Sequence, residues 1–332
     1  MLSLTFRAFF VMLALSAAFM LVATTFAQDD PSPTPAPSKT PTAAPSPTAT
    51  ARPASASAVQ SFTQSDLTVL TGNVQRPNGI TFLDGVLYTA CTGDFTVYQI
   101  EAETGRTVTY AGGIRNAHML YVEIGDDDRP VLWAPDFQMN QFLRVVQGRT
   151  QTISGGLDGP WGIAYLNEDE FLITNLLGNN MVVVSREGGS RTILDDLANP
   201  TGIVIDDDLI YVGNNGSTRR AIEWYPLETA ESDEPVADAG GTIVSGIQNV
   251  TGLALDSEGM LYFAYALGTR GVVGRVDPQA CIEQGGCGNA EVEVVLFTEL
   301  SAPLAGLTIS PDNRLFVHTM FAPDIYWVQL PE

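Results

Sequence analysis

From about residue 60 onward the chain is a succession of short alternating apolar runs, broken by turns rich in Asp, Gly, Asn and Ser. Residues 201–213 show the unit: TGIVI, then DDD, then LIYVG. Period-two alternation over a few residues predicts half-buried strands, and Asp, Asn and Gly accept the unusual backbone angles of a tight turn. The unit recurs as PNGITFLDGVLYTA (77–90), PWGIAYLNEDEFLITN (160–175), VTGLALDSEGMLYFAY (250–265) and LAGLTISPDNRLFVHT (304–319). A weaker copy, AHMLYVEIGDDDRPVLWAP, covers 117–135. The DDD runs at 126–128 and 206–208 both fall at this break, so they read as hairpin turns. Calcium there would need a ligand spacing like that of an EF-hand, and none accompanies them.

The spacing turns the unit into an architecture. Gly162 to Gly202 is 40 residues, Gly202 to Gly252 is 50, and Gly252 to Gly306 is 54; the 83 residues from Gly79 to Gly162 hold two units. Each unit continues into two more alternating strands, as in FTVYQIEAETGRTVTYAG after the first. Four strands repeated every 40–50 residues predict a β-propeller. The last unit ends at Glu332 one strand short, and DLTVLTG (66–72) is an orphan strand before the first. Ring closure resolves both. The fold class expected is all-β: six four-stranded antiparallel blades, with the N-terminal strand completing the last and leaving no open edge.

Residues before 59 add a location. Arg7, the apolar run 8–26 and Ala27 have the form of an export signal, residues 1–27, which is either cleaved or kept as an anchor. Residues 28–58 are almost entirely Pro, Ser, Thr and Ala, a composition that cannot bury enough apolar area to offset ordering and predicts an extended linker. A secreted or envelope-held domain over 59–332 is the expectation, monomeric, touching membrane only through an uncleaved anchor.

Charge and cysteines narrow the chemistry. The formal net charge is −22, which repels nucleic acid and anionic lipid. Lys39, in the linker, is the only lysine, so Schiff-base chemistry is excluded from the domain. In an exported protein Cys281 and Cys287, within ACIEQGGCGN, predict a local disulfide, and Cys91 is left as a buried thiol.

In a propeller the loops entering each innermost strand, and those after each second strand, share the channel mouth, where ligands bind. The residue before each unit's glycine reads Asn78, His118, Trp161, Thr201, Thr251 and Ala305. Among second-strand ends and the loops that follow, Asn175, His318, Asp94, Asn214 and Arg270 stand out. The ligand-binding candidates are Asn78, Trp161, Asn175, Asn214 and Arg270. His118 and His318, the only histidines, are the catalytic candidates, because imidazole is both a metal ligand and a base near neutral pH.

The strand–turn–strand units resemble NHL repeats, and residues 66–332 resemble the gluconolactonase-like and strictosidine-synthase-like six-bladed propellers. The resemblance implies a divalent cation, calcium above all, held by carboxylate and Asn oxygens at the pre-glycine positions. Asn78 in RPNGI matches that pattern; the other positions are His, Trp, Thr, Thr and Ala. Asn78, His118, His318 and Asp94 are the metal candidates. Two functions follow. The first is a non-enzymatic binding propeller on a stalk, taking a small molecule, a carbohydrate or a protein. The alternative is a divalent-metal-dependent hydrolase or lactonase acting at the channel mouth.

Overall fold

The computed structural model describes residues 61–236 and 239–331; the expected export signal (1–27) and the expected linker (28–58) lie outside them. Six sheets follow one another along the chain, each with a core of consecutive strands paired antiparallel. Blade 1 runs from its innermost strand Pro77–Leu83 through Val86–Cys91 and Thr96–Glu101 to the outer strand Thr107–Gly112. Blades 2 to 5 begin with the innermost strands Tyr121–Ile124, Pro160–Tyr165, Pro200–Asp206 and Gln248–Leu255. Blade 6 consists of Gly306–Ile309, Arg314–His318 and Ile325–Gln329, and Thr68–Thr71 pairs antiparallel with the last of these as its fourth strand. The expected closure by residues 66–72 is therefore how the ring is completed. One further strand, Phe62–Thr63, runs parallel to Glu293–Ser301 and makes blade 5 five-stranded.

The DDD question resolves as a turn. Pro200–Asp206 and Leu209–Asn214 form the first hairpin of blade 4, with Asp206 paired to Leu209 and Asp207 in the left-handed region at φ 47°. Asp84 and Asp128 do the same work in blades 1 and 2, at φ 47° and 58°. Aspartate tolerates this region better than most residues with a Cβ.

Second strands are buried on both faces because each blade is sandwiched between neighbours. Leu132, Phe171, Leu172, Tyr211, Phe263 and Phe316 are all sealed from solvent. Alternating residues feed separate apolar clusters on the two faces of a blade: in blade 3, Leu172 and Val183 join the cluster shared with blade 4, while Phe171 and Val182 join that shared with blade 2. The predicted disulfide between Cys281 and Cys287 is formed, on a connection that also holds the only helix of α type among the described residues, Pro278–Glu283. None of the described helices is long and apolar enough to cross a membrane.

The innermost strands approach one another closely. A Cβ on Gly162 would lie 2.4 Å from the Thr201 carbonyl oxygen, and one on Gly306 3.1 Å from that of Asn78. Gly79 meets Ala117, His118 and Met119 in the same way. The recurring glycine is thus the contact between neighbouring inner strands, and blade 2 fills the column with Met119.

Candidate functional site

The pre-glycine residues do form one ring at the mouth, and most of them hold the ring together. Thr201 Oγ1 lies 2.8 Å from the Val250 carbonyl oxygen of blade 5 and 3.0 Å from that of Gly213. Thr251 Oγ1 donates to the Leu304 carbonyl at 2.7 Å, joining blade 5 to blade 6. Thr174 Oγ1, in blade 3, donates to the Thr201 carbonyl at 2.5 Å. The Asn78 amide nitrogen donates to Asn116 Oδ1, joining blades 1 and 2. These side chains are buried, so each bond also satisfies a group that would be costly to leave unpaired.

Trp161 closes the circuit between blades 2, 3 and 5. Its indole stacks on the His118 imidazole with ring centroids 3.4 Å apart and planes within 6°. Phe137 meets both rings edge-on. The indole N–H donates to the Thr251 carbonyl at 3.0 Å, so the side chain reaches past blade 4. Both the aromatic surface and the polar edge of Trp161 are therefore engaged, which limits what it can offer a ligand to its solvent-facing remainder.

Two more candidates are occupied. Asn175 donates to Asn180 Oδ1 at 2.8 Å and accepts the Asp158 N–H. Asn214 donates to Glu223 and to the Arg220 carbonyl and accepts the Ala198 N–H. Arg270 opens the third strand of blade 5 and pairs with Glu299 at 2.8 Å, both partly exposed. Asp94 is exposed, caps its own loop at Thr96 and accepts from the Tyr98 hydroxyl. Asp136 is engaged as well: fully buried, it accepts the N–H groups of Arg115, Asn116, Gln138 and Met139 and staples two mouth loops.

What remains unengaged is compact and uncharged. Asn78 Oδ1, His118 Nδ1 and both ring nitrogens of His318 are sealed from solvent without a hydrogen-bond partner. They lie in the sector of blades 6, 1 and 2: the position of a Gly306 Cβ is 3.2 Å from His318 Nε2 and 3.1 Å from the Asn78 carbonyl. Burial pushes the His118 imidazolium down to about 3 and that of His318 to about 4. The Thr319 and Pro77 main chain opposes the His318 shift in part, without bonding either nitrogen in acceptable geometry. Both histidines are neutral at physiological pH. Among the described residues no three His, Cys, Asp or Glu side chains converge as a group able to hold a metal ion.

The whole ring has known counterparts. A gluconolactonase from Xanthomonas campestris superposes with a TM-score of 0.59 at 16% identity, covering 80% of this chain and 89% of that one. Regucalcin from Agrobacterium tumefaciens, described as a calcium-binding protein, gives 0.58 at 14%, covering 81% and 95%. A catalytically inactive histidine-to-alanine variant of virginiamycin B lyase from Staphylococcus aureus, solved with quinupristin, gives 0.54 at 15%, covering 80% and 99%. No family model and no curated protein matches the sequence. At these identities the likeness is one of fold, and the chain is a six-bladed β-propeller of the architecture that gluconolactonase, regucalcin and virginiamycin B lyase share.

Proposed function

We propose that the protein is an exported binding propeller, carried on a Pro/Ser/Thr/Ala-rich stalk, that takes an uncharged polar ligand at its channel mouth. The observation that supports binding over catalysis is the commitment of the mouth's donors. Thr201, Thr251, Asn175 and Asn214 are engaged within the fold. The unengaged groups are neutral, an amide oxygen and two imidazoles, and are sealed in this structure, so a ligand must displace what covers them to engage them. Such groups suit hydroxyls and amides, as in a saccharide or a peptide, better than an ion. Export rests on the composition of residues 1–58.

The second reading is a divalent-metal-dependent hydrolase of the lactonase type. It draws on the fold shared with gluconolactonase and on the unpartnered histidines. The donor set does not fit the cation that reading needs. A hard divalent cation takes six to eight oxygens, as a rule with carboxylates among them; Asn78 offers one unengaged oxygen, and Asp94 stands exposed and bonded to Tyr98.

Thermal melting of the full chain against neutral oligosaccharides and short peptides tests the binding reading. A ligand of the folded state raises the melting point by mass action. The expected result is a rise for one ligand class that Asn78→Ala removes. Turnover of a lactone, abolished by His318→Ala, would overturn the reading in favour of the hydrolase.

A further inference from the structure

On the face opposite the mouth, a cleft of about 710 Å³ lies between blades 3 and 4, within the size range of small-molecule sites. One wall is an insertion. The connection from third to outer strand is at most five residues in blades 1 to 3, but in blade 4 it runs from 227 to 240 and begins with a 3₁₀ turn, Leu227–Glu231. The insertion leaves its own blade and is fastened to blade 3. Arg191 donates to the Ala230 carbonyl and to Glu170 Oε1, both at 2.6 Å, and the Val236 N–H donates to the Ile193 carbonyl at 3.0 Å.

The chemistry of the lining is specific. Leu166, Leu209, Pro226 and Leu227 give it half-buried apolar surface. Arg191 and Glu170 neutralise each other. Asp208, Glu228 and Glu231 also line the cleft, and none of the three has a side-chain hydrogen bond or ion pair among the described residues. In a 3₁₀ turn residues i and i+3 eclipse, so Glu228 and Glu231 project from the same side. Three solvent-exposed carboxylates therefore line one cleft together with hydrocarbon surface, and the only cation of the lining is already paired.

We propose that this cleft binds an organic cation, an ammonium or guanidinium group on a hydrocarbon stem. The stem would cover the leucines and the charge would sit among Asp208, Glu228 and Glu231. A lysine or arginine side chain of a peptide and a free alkylamine share this chemistry. An anion is repelled, and a neutral ligand of the same stem gains only the apolar part.

Calorimetric titration of the full chain with hexylammonium, hexanol and hexanoate tests the proposal, with acetylarginine methylamide as the peptide-borne form. Hexylammonium is expected to bind at least about tenfold more tightly than hexanol, hexanoate not at all, and salt to weaken the cation selectively. A tighter arginine amide would assign the site to peptides, a tighter hexylammonium to free amines. The double substitution Glu228→Gln/Glu231→Gln should lower cation affinity about tenfold or more. Asp84→Asn, in the first hairpin turn of blade 1 on the same face, should not, which separates the cleft from the general acidity of the protein. Equal binding of hexanol, no binding of either cation, unchanged affinity in the double variant, or an equal loss in Asp84→Asn would overturn it.

Discussion

Trp161 of blade 3 donates its indole N–H to the main-chain carbonyl of Thr251 in blade 5, 3.0 Å away, while its ring lies flat on His118 of blade 2. One side chain thus ties three of the six blades at the mouth. Much of the inter-blade packing is apolar and non-directional; this contact, like the threonine bonds that join blades 3, 4, 5 and 6, fixes a direction. Removing the N–H leaves a carbonyl short of a partner at a narrow ring, and removing the ring also strips His118 of its stacking partner. Denaturant unfolding should find Trp161→Phe destabilised by about 1 kcal/mol and Trp161→Ala by about 3 kcal/mol. Equal stabilities for the three proteins would show that the indole contributes nothing to the ring.

The histidines make stability depend on pH in a stated direction. Both fold with the imidazolium disfavoured, at about 3 for His118 and about 4 for His318, against 6.5 as the ordinary value. Below 6.5 the unfolded chain therefore binds more protons than the folded one. This contribution to stability is present in full above pH 6.5 and is lost as the pH falls towards 4. By pH 5 the loss should be about 2 kcal/mol per histidine. Unfolding at a series of pH values between 7 and 5 should give a steeper decline for the native chain than for His318→Gln, by about one proton. Parallel declines would mean that His318 is solvated.

How much of this the residues announce differs between backbone and side chains. The recurring glycine marked the inner strands because only a residue without a Cβ fits where Gly162 meets the Thr201 carbonyl. The aspartate turns marked the hairpins because Asp84 and Asp207 adopt left-handed angles. Both are local requirements, so they leave local traces. The closing strand at 68–71 was legible by elimination, from one missing and one unpaired strand. The engagement of Asn175, Asn214 and Trp161 left no trace, because it depends on which carbonyl faces which side chain across blades. Trp161 and its acceptor are 90 residues apart. The role of Asp136 as a loop staple is hidden from the sequence for the same reason. The insertion at 227–240 interrupts the repeat, but the fastening of it by Arg191 belongs to another blade.

Ring closure can be tested by shortening the chain. Thr68–Thr71 supplies the outer strand of blade 6, whereas Phe62–Thr63 adds only a short fifth strand to blade 5. A chain beginning at residue 65 should keep its melting temperature within a few degrees, while one beginning at residue 73 should melt far lower or aggregate through the exposed edge of Ile325–Gln329. Identical melting of the two would contradict the closure.

The three cysteines should behave differently. The Cys281–Cys287 bridge closes a loop of six residues' separation, and breaking it by Cys281→Ser/Cys287→Ser should cost about 2 kcal/mol, read by denaturation with and without reductant. Cys91 is buried, and desolvation pushes its thiol up to about 12. Thiolate is the reactive form, so iodoacetamide at pH 8 should leave Cys91 unmodified until denaturant is added. Rapid labelling of the native protein would show that blade 1 opens at its second strand.

The distinction between a binding mouth and a metal centre has the most direct test. The full chain is melted with Ca²⁺, Mg²⁺, Mn²⁺ and Zn²⁺, each against EDTA. A cation bound only by the folded state must raise the melting point. Because Thr201, Thr251, Asn175 and Asn214 are engaged and Asp94 stands apart, melting should be the same in every cation as in EDTA. A rise of several degrees with one cation, lost in both Asn78→Ala and His318→Ala, would contradict the binding propeller and establish a metal centre at the mouth.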